Sequence, residues 1–233
     1  MILWQQDASS NPDLCIIVAG RNQLPNYIYI LAHRCGDALV VDPGYAAETI
    51  RSELTSQGLV LRGVLLTHGH SDHLAAVAEL NPPITVIMAG ECIAPGHDLP
   101  NLSRCNHDRS FYLGAILVHP LATPGHSPGS ACYLVGQRLF TGDTVFMESI
   151  GDCSGPGGDP DQIFASIALL KAHIADNVRI YPGHCFRTAP GGNFFQVKQN
   201  NIYFRLDDKA AFANWHRRFA GAIGKGVADN ATA

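Results

Sequence analysis

Short apolar runs, separated by breaks rich in Gly, Pro and Asn, set the rhythm of this chain. Residues 14–19 (Leu-Cys-Ile-Ile-Val-Ala) and 27–32 (Tyr-Ile-Tyr-Ile-Leu-Ala) predict strands parted by a polar loop holding Pro25 and Asn26. Residues 38–42 predict a third strand, ended by Pro43-Gly44, with a hairpin turn from His33 to Asp37. The chain therefore opens as a β-meander. The period then changes. Ile50 and Leu54, four apart, predict a helix over 46–57, stopped at Gly58. A strand over 61–66, a helix over 72–80 ended by Asn81-Pro82-Pro83, and a strand over 84–88 follow. The polar stretch 95–110 predicts a surface excursion. Strands follow near 111–121 and 131–136, with Arg138 to Thr141 leading on. Ile163, Ile167 and Leu170 share a face of a helix from Asp161 to His173, and Val178 to Tyr181 predicts the last strand. Residues 194–220 are expected to be mostly helical, with a frayed tail from Gly221. The order is strand-rich, then α/β, and then the same again, which predicts two sheets face to face under covering helices.

Length and charge narrow the picture. With 233 residues there is room for one substantial core and at most two domains. Sixteen basic and twenty acidic residues give a formal charge of -4, and no Lys/Arg block speaks for nucleic acid. No apolar stretch approaches the roughly 20 residues that span a bilayer. The start, Met-Ile-Leu-Trp-Gln-Gln-Asp, lacks the basic and apolar regions of a signal peptide, so the expectation is a cytoplasmic protein without membrane contact. Seven cysteines without a Cys-x-x-Cys pair point to reduced thiols. Cys153 and Cys185, in Gly-rich loops, are the two with a candidate direct role.

The chemistry concentrates in Leu65-Leu66-Thr67-His68-Gly69-His70-Ser71-Asp72-His73. Three imidazoles and a carboxylate follow an apolar strand, and His126, Asp143 and His184 each sit beside a glycine near a strand end. Divalent metals of borderline softness take such nitrogen and oxygen donors. His68 and His70, two apart on a strand exit, turn toward one ion with His126. Asp72 and His73 open the next helix and face a second ion with His184. Asp143 is the natural bridge. Thr67, Thr123, Thr141 and Thr144 are candidates to fix the far ring nitrogens. His33, His97, His107, His119, His173 and His216 read as ordinary solvated histidines. No Gly-x-Ser-x-Gly elbow is present, so a serine nucleophile is not expected.

The motif from Thr67 to His73, with His126, Asp143 and His184, resembles the signature of the metallo-β-lactamase superfamily. The resemblance covers about residues 12–190 and implies an α/β fold, an αββα four-layer sandwich of two mixed β-sheets flanked by helices. A metallo-β-lactamase-like domain would occupy 1–190. A C-terminal helical extension, 191–233, would pack on the same domain. Asp42-Pro43-Gly44 is similar to the turn whose aspartate supports the metal loop in that family. The intact His-x-His-x-Asp-His and the run Gly142-Asp143-Thr144-Val145-Phe146 look more like glyoxalase-II-type hydrolases than antibiotic-degrading enzymes. The stretch after His184 is short for the helical glutathione-binding domain of glyoxalase II. Gly151-Asp152-Cys153, Gly157-Gly158-Asp159-Pro160 and Asn200-Asn201-Ile202-Tyr203-Phe204 resemble small hydrolases associated with bacterial polyketide synthases.

The resemblance implies a dinuclear, metal-dependent hydrolase of acyl thioesters. Two zinc ions per chain are expected, with iron or manganese as alternatives. The ligands would be His68, His70, Asp72, His73, His126, Asp143 and His184, and Asp72 and Asp143 would serve catalysis. A bridging metal-bound hydroxide would attack the acyl carbon. The substrate would be a small-molecule or carrier-protein-bound thioester, with an acyl carrier protein as candidate partner and a monomer or homodimer as the working form. A mononuclear iron persulfide dioxygenase, a hydroxyacylglutathione hydrolase and a non-catalytic scaffold are the competing readings. Asn26, Tyr27, Phe146, Phe186 and Arg187 are candidates to line the pocket. Phe194, Phe195, Tyr203 and Phe204 form either an apolar wall or core contacts.

Overall fold

The computed structural model of the protein describes residues 1–6, 11–20, 25–106, 109–185 and 187–223. The first half runs β1 (Ile2–Gln5), β2 (Asp13–Ala19), β3 (Asn26–Ala32), β4 (Asp37–Val41), α1 (Ala47–Ser56), β5 (Val60–Leu65), α2 (Ser71–Leu74), α3 (Val77–Leu80), β6 (Thr85–Met88) and β7 (Leu102–Cys105). The second runs β8 (Phe111–Leu113), β9 (Ile116–Ala122), β10 (Ala131–Val135), β11 (Arg138–Gly142), α4 (Pro160–His173), β12 (Arg179–Pro182), α5 (Phe194–Asn200), a 3-10 turn (Ile202–Arg205) and α6 (Lys209–Ile223).

The first seven strands form one sheet in chain order, antiparallel through β4 and parallel from β4 to β7. The second sheet has the order β12-β11-β10-β9-β8 and is antiparallel except for the β11–β12 pair. Alternation along β2 shows why the sheets must be covered on both sides. Leu14 and Ile16 enter the cluster between the sheets, with Tyr29, Leu39, Val118, Tyr133 and Phe140. Cys15 and Ile17 face the other way, against Ile50, Leu54 and Val77 of α1 and α3. On the far side α4, α5 and α6 cover the second sheet through Ile163, Ile167, Phe194 and Phe212. The layers are therefore α/β/β/α, as expected.

Two buried hydroxyls tie the sheets together where the site will form. Tyr29 of β3 donates to the Pro182 carbonyl at 2.5 Å, and Tyr133 of β10 donates to the Leu66 carbonyl at 2.9 Å. Buried polar groups of this kind are secure only when paired. These pairs fix the strand exits that carry His184 and His68.

Several local expectations change. The helix over 72–80 is two short helices, because the Ala76 N–H leaves the helical ladder for the Pro43 carbonyl (2.9 Å). The polar excursion 95–110 contains β7, whose polarity suits a half-exposed edge strand. The strand near 111–121 is a hairpin turning at Gly114 (φ 58°). β1, with Ile2 and Leu3 exposed, carried no core-like pattern. The helix over 194–220 breaks at Asn201. Its buried amide donates to the Phe146 and Ser149 carbonyls and its oxygen accepts the Tyr203 N–H. Helix α4 starts one residue early, at Pro160, behind the N-cap Asp159. No helix among the described residues is long and apolar enough to cross a membrane.

Candidate metal centre

Strand exits deliver the seven predicted residues to one edge of the sandwich. His68 and His70 follow β5, Asp72 and His73 lie in α2, and His126 lies between β9 and β10. Asp143 follows β11 and His184 follows β12. The structure brings all seven together. His68, His70 and His126 form one group; Asp72, His73 and His184 form another; His68, His73 and Asp143 join them. Within each group the donor atoms lie within 4.8 Å of one another. Asp143 stands between, with Oδ1 3.4 Å from His73 Nε2 and Oδ2 3.6 Å from both His126 Nε2 and His184 Nε2.

The ring nitrogens are sorted by their outer partners. His73 Nδ1–H donates to Asp42 Oδ2 (3.0 Å) and His126 Nδ1–H to the Asp152 carbonyl (2.7 Å). His184 Nδ1–H donates to the Pro25 carbonyl (3.2 Å). The Thr67 hydroxyl donates to Asp42 Oδ2 (2.6 Å), so it accepts from His68 Nδ1–H (3.1 Å). Four Nε2 atoms are thereby turned inward, and His70 Nδ1 meets His126 Nε2 at 3.0 Å. Asp42 holds this arrangement from a left-handed backbone (φ 49°), a conformation that stores strain on the order of 1 kcal/mol. Gly183 leaves the space: a Cβ there would stand 2.5 Å from His73 Cε1 and 2.6 Å from Asp143 Oδ1.

Electrostatics favour a cation. Burial opposes charge on His73 and His184. Asp143 first, then Asp42 and Asp72, outweigh it and raise His73 to about 9. Asp143 and Asp72 raise His184 likewise. His68 is held well below its ordinary value by burial and by the neighbouring imidazoles. Burial opposes the charge on Asp143, yet His184, His73 and His126 keep it ionised. Two buried atoms, His68 Nε2 and Asp143 Oδ1, have no hydrogen-bond partner. Convergent ring nitrogens, ionised carboxylates and these orphaned atoms are a donor set that fits divalent metal.

Other expectations divide. Thr67 touches a cluster imidazole, whereas Thr123 and Thr144 bond each other (3.0 Å) and Thr141 bonds the Val145 carbonyl (2.6 Å). Asn26 is committed to Asp72, donating to its carbonyl (2.8 Å) and carboxylate (3.1 Å), rather than held out for a ligand. Phe146 stands edge-on to His184, ring centroids 6.0 Å apart. Phe194, Tyr203 and Phe204 are core, and Phe195 is exposed. Phe186 and His107 lie outside the described residues. Burial pushes the Cys153 and Cys185 thiols up to about 12, which removes them as nucleophiles near neutrality. Glu91 went unread. This buried carboxylate accepts from Ser127 Oγ and the Gly129 N–H, both at 2.7 Å, and braces the His126 loop. Its place after the β6 run was the only signal.

The family model of the metallo-beta-lactamase superfamily matches residues 21–83 and 108–184. The chain is 35% identical over 201 residues to a probable polyketide biosynthesis zinc-dependent hydrolase of Bacillus velezensis, covering 83% of this chain and 88% of that protein. It is 36% identical over 163 residues to a hydroxyacylglutathione hydrolase of Methylobacillus flagellatus, covering 68% of this chain and 62% of that protein. The crystal structure of ETHE1 from Myxococcus xanthus superposes with a TM-score of 0.73 over 98% of both chains. At 21% identity that likeness speaks for the fold.

Proposed function

Because the chain belongs to the metallo-beta-lactamase superfamily and carries the clusters of a dinuclear metal-dependent hydrolase, we propose that it hydrolyses acyl thioesters. The carrying observation is the inward aim of four Nε2 atoms around Asp143, each ring tethered through its Nδ1. His68, His70 and His126 would hold one ion and Asp72, His73 and His184 the other, with Asp143 shared. Zinc is the proposed metal, in keeping with the name of the Bacillus velezensis relative. A divalent pair supplies a water acidified toward neutrality and polarises a carbonyl oxygen.

The chain's own residues orient and move protons. Asp143 stays ionised in its nest of histidines, and with that charge set between the two groups it would orient the pair of ions. Asp72, held in place by Asn26 and with its side chain about a third exposed, is the second carboxylate, open toward bulk solvent. Asp42 and Thr67 keep His73 and His68 from rotating. The reaction consumes one water and yields a carboxylic acid and a thiol. A thiolate with a pKa of about 8.5 leaves without a strong general acid, and the site needs none.

Two relatives support this substrate class, one named for polyketide biosynthesis and one a hydroxyacylglutathione hydrolase. Acyl groups on the pantetheine thiol of a carrier protein are the proposed substrates, and an acyl carrier protein the proposed partner. The test is metal content of protein purified without added metal, with thiol release followed on the same sample. About two zinc ions per chain with release from acyl-carrier thioesters is expected. One iron per chain, no thiol release and oxygen uptake with a persulfide would overturn the proposal.

A further inference from the structure

His216 sits on α6, beyond the residues matched by the family model, and its sequence context marked it as a solvated histidine. Instead it is 2% exposed. Its Nε2 accepts the Cys153 N–H at 3.2 Å. The carbonyl of that same peptide unit, Asp152 C=O, accepts from His126 Nδ1 at 2.7 Å. One peptide plane thus stands between two imidazoles, gripped at its oxygen by His126 and at its nitrogen by His216. We propose that His216 is a positioning residue of the metal centre. Through the Asp152–Cys153 peptide it fixes the His126 ring, and so the affinity of the His68, His70 and His126 group for its ion. The inference rests on the two-metal reading above.

The surroundings explain why the peptide needs holding. It lies at the start of a stretch that contains Gly151, Gly155, Gly157 and Gly158, where the backbone has unusual freedom. A flipped peptide would aim its N–H at His126 Nδ1, and the ring would lose the acceptor that keeps Nε2 inward. Cys153 is buried, so its N–H must find a protein partner. His216 is that partner only with a lone pair on Nε2, which places its hydrogen on Nδ1, 3.5 Å from the Tyr203 hydroxyl. Burial lowers the His216 pKa against the pull of Asp152 and keeps the ring neutral. Tyr203 packs beside it, and Phe212 of the same helix packs on Tyr203 in the core, so α6 cannot shift without disturbing this contact.

The test titrates metal-free protein with cobalt(II) and follows its visible absorption. Wild-type protein should show two steps, and the step lost in His126→Ala marks the group in question. His216→Leu, close in size but without an acceptor, should weaken that step about tenfold, the lower end for partners of metal-binding histidines, and leave the other within about twofold. His216→Gln, whose Oε1 can accept the Cys153 N–H, should restore it. Two unchanged steps in His216→Leu, equal weakening of both, or no rescue by Gln would overturn the inference. Should His216→Leu fail to fold, nitrogen NMR of the wild-type imidazoles decides: a hydrogen on Nδ1 of His216 supports it, and a hydrogen on Nε2 overturns it. A wild-type protein without two steps would overturn the two-metal reading itself, a failure visible before any His216 variant is made.

Discussion

Asp42 Oδ2 lies 3.0 Å from His73 Nδ1, and the same oxygen accepts the Thr67 hydroxyl at 2.6 Å. One carboxylate from the end of β4 therefore aims both His73 and, through Thr67, His68. Asp42→Asn keeps the shape and tolerates the left-handed backbone, but removes the charge. Metal affinity should fall about 10- to 100-fold, as for other partners of ligating histidines. Titration of metal-free protein with zinc in competition with a chromophoric chelator measures it. Unchanged affinity would reduce Asp42 to a strand terminator.

Gly183 stands directly against two of the convergent side chains. Its N–H donates to the Gly142 carbonyl and its carbonyl accepts from Tyr27, both at 2.9 Å, and an alanine would keep these bonds. The added methyl, however, would press on His73 and Asp143. Gly183→Ala should fold, judged by circular dichroism, yet lose thiol release by about 100-fold, the cost of roughly ångström-scale misplacement of reacting groups. Wild-type turnover in this variant would mean that the pocket around Gly183 is not where the reaction occurs.

The sequence showed the seven convergent residues because a dense His/Asp string and three glycine-flanked singles are local features. It showed β2 to β5 because two-faced burial leaves continuous apolar runs. It did not show β1 or β7, since an edge strand buries too little to carry a pattern. Nor did it show the break in the helix after Ser71, which is set by the tertiary bond from Ala76 to Pro43. His216, Glu91 and the true partner of Asn26 were hidden for the same reason. Each acts on residues distant in the chain, and a single His, Glu or Asn carries no mark of its partner.

The buried thiols are expected to be bystanders. Burial pushes Cys15, Cys132, Cys153 and Cys185 up to about 12, while Cys35 and Cys92 are exposed. Alkylation of native protein at pH 8, read by peptide mass spectrometry, should mark Cys35 and Cys92 and spare the four buried cysteines. Thiol-release activity should survive the treatment. Modification of Cys153 or Cys185 at the rate of Cys35, with loss of activity, would return them to the mechanism.

Asp37 gives a pH signature away from the metal centre. The Arg62 guanidinium donates to Oδ1 at 2.6 Å and the Ala115 N–H donates to Oδ2 at 2.8 Å, holding the carboxyl below its ordinary value despite some desolvation. A lowered folded-state pKa means that the unfolded chain binds the proton first as pH falls. The stabilisation is thus complete above an unfolded pKa of about 3.9 and disappears as pH drops through the lower folded value. Urea unfolding of wild type and Asp37→Asn should differ at pH 7 and converge near pH 2. A constant difference across that range would assign the effect to packing.

Metal removal should cost stability as well as activity, because the site is assembled only in the folded chain. His68 Nε2 and Asp143 Oδ1 are buried without partners, and three carboxylates raise the protonation of His73 rather than bond to one another. An ion that binds the native state alone stabilises it by about 2.7 kcal/mol when present at 100 times its Kd. For a chain of this size each kcal/mol shifts Tm by about 2–4 °C, so chelation should lower Tm by roughly 5–10 °C. Returning zinc should reverse the shift, and His184→Ala, with one group incomplete, should recover only part of it. Scanning calorimetry with and without chelator decides. An unchanged Tm would mean that the convergent imidazoles are satisfied by protons and that no cation contributes to holding the two sheets' edge together.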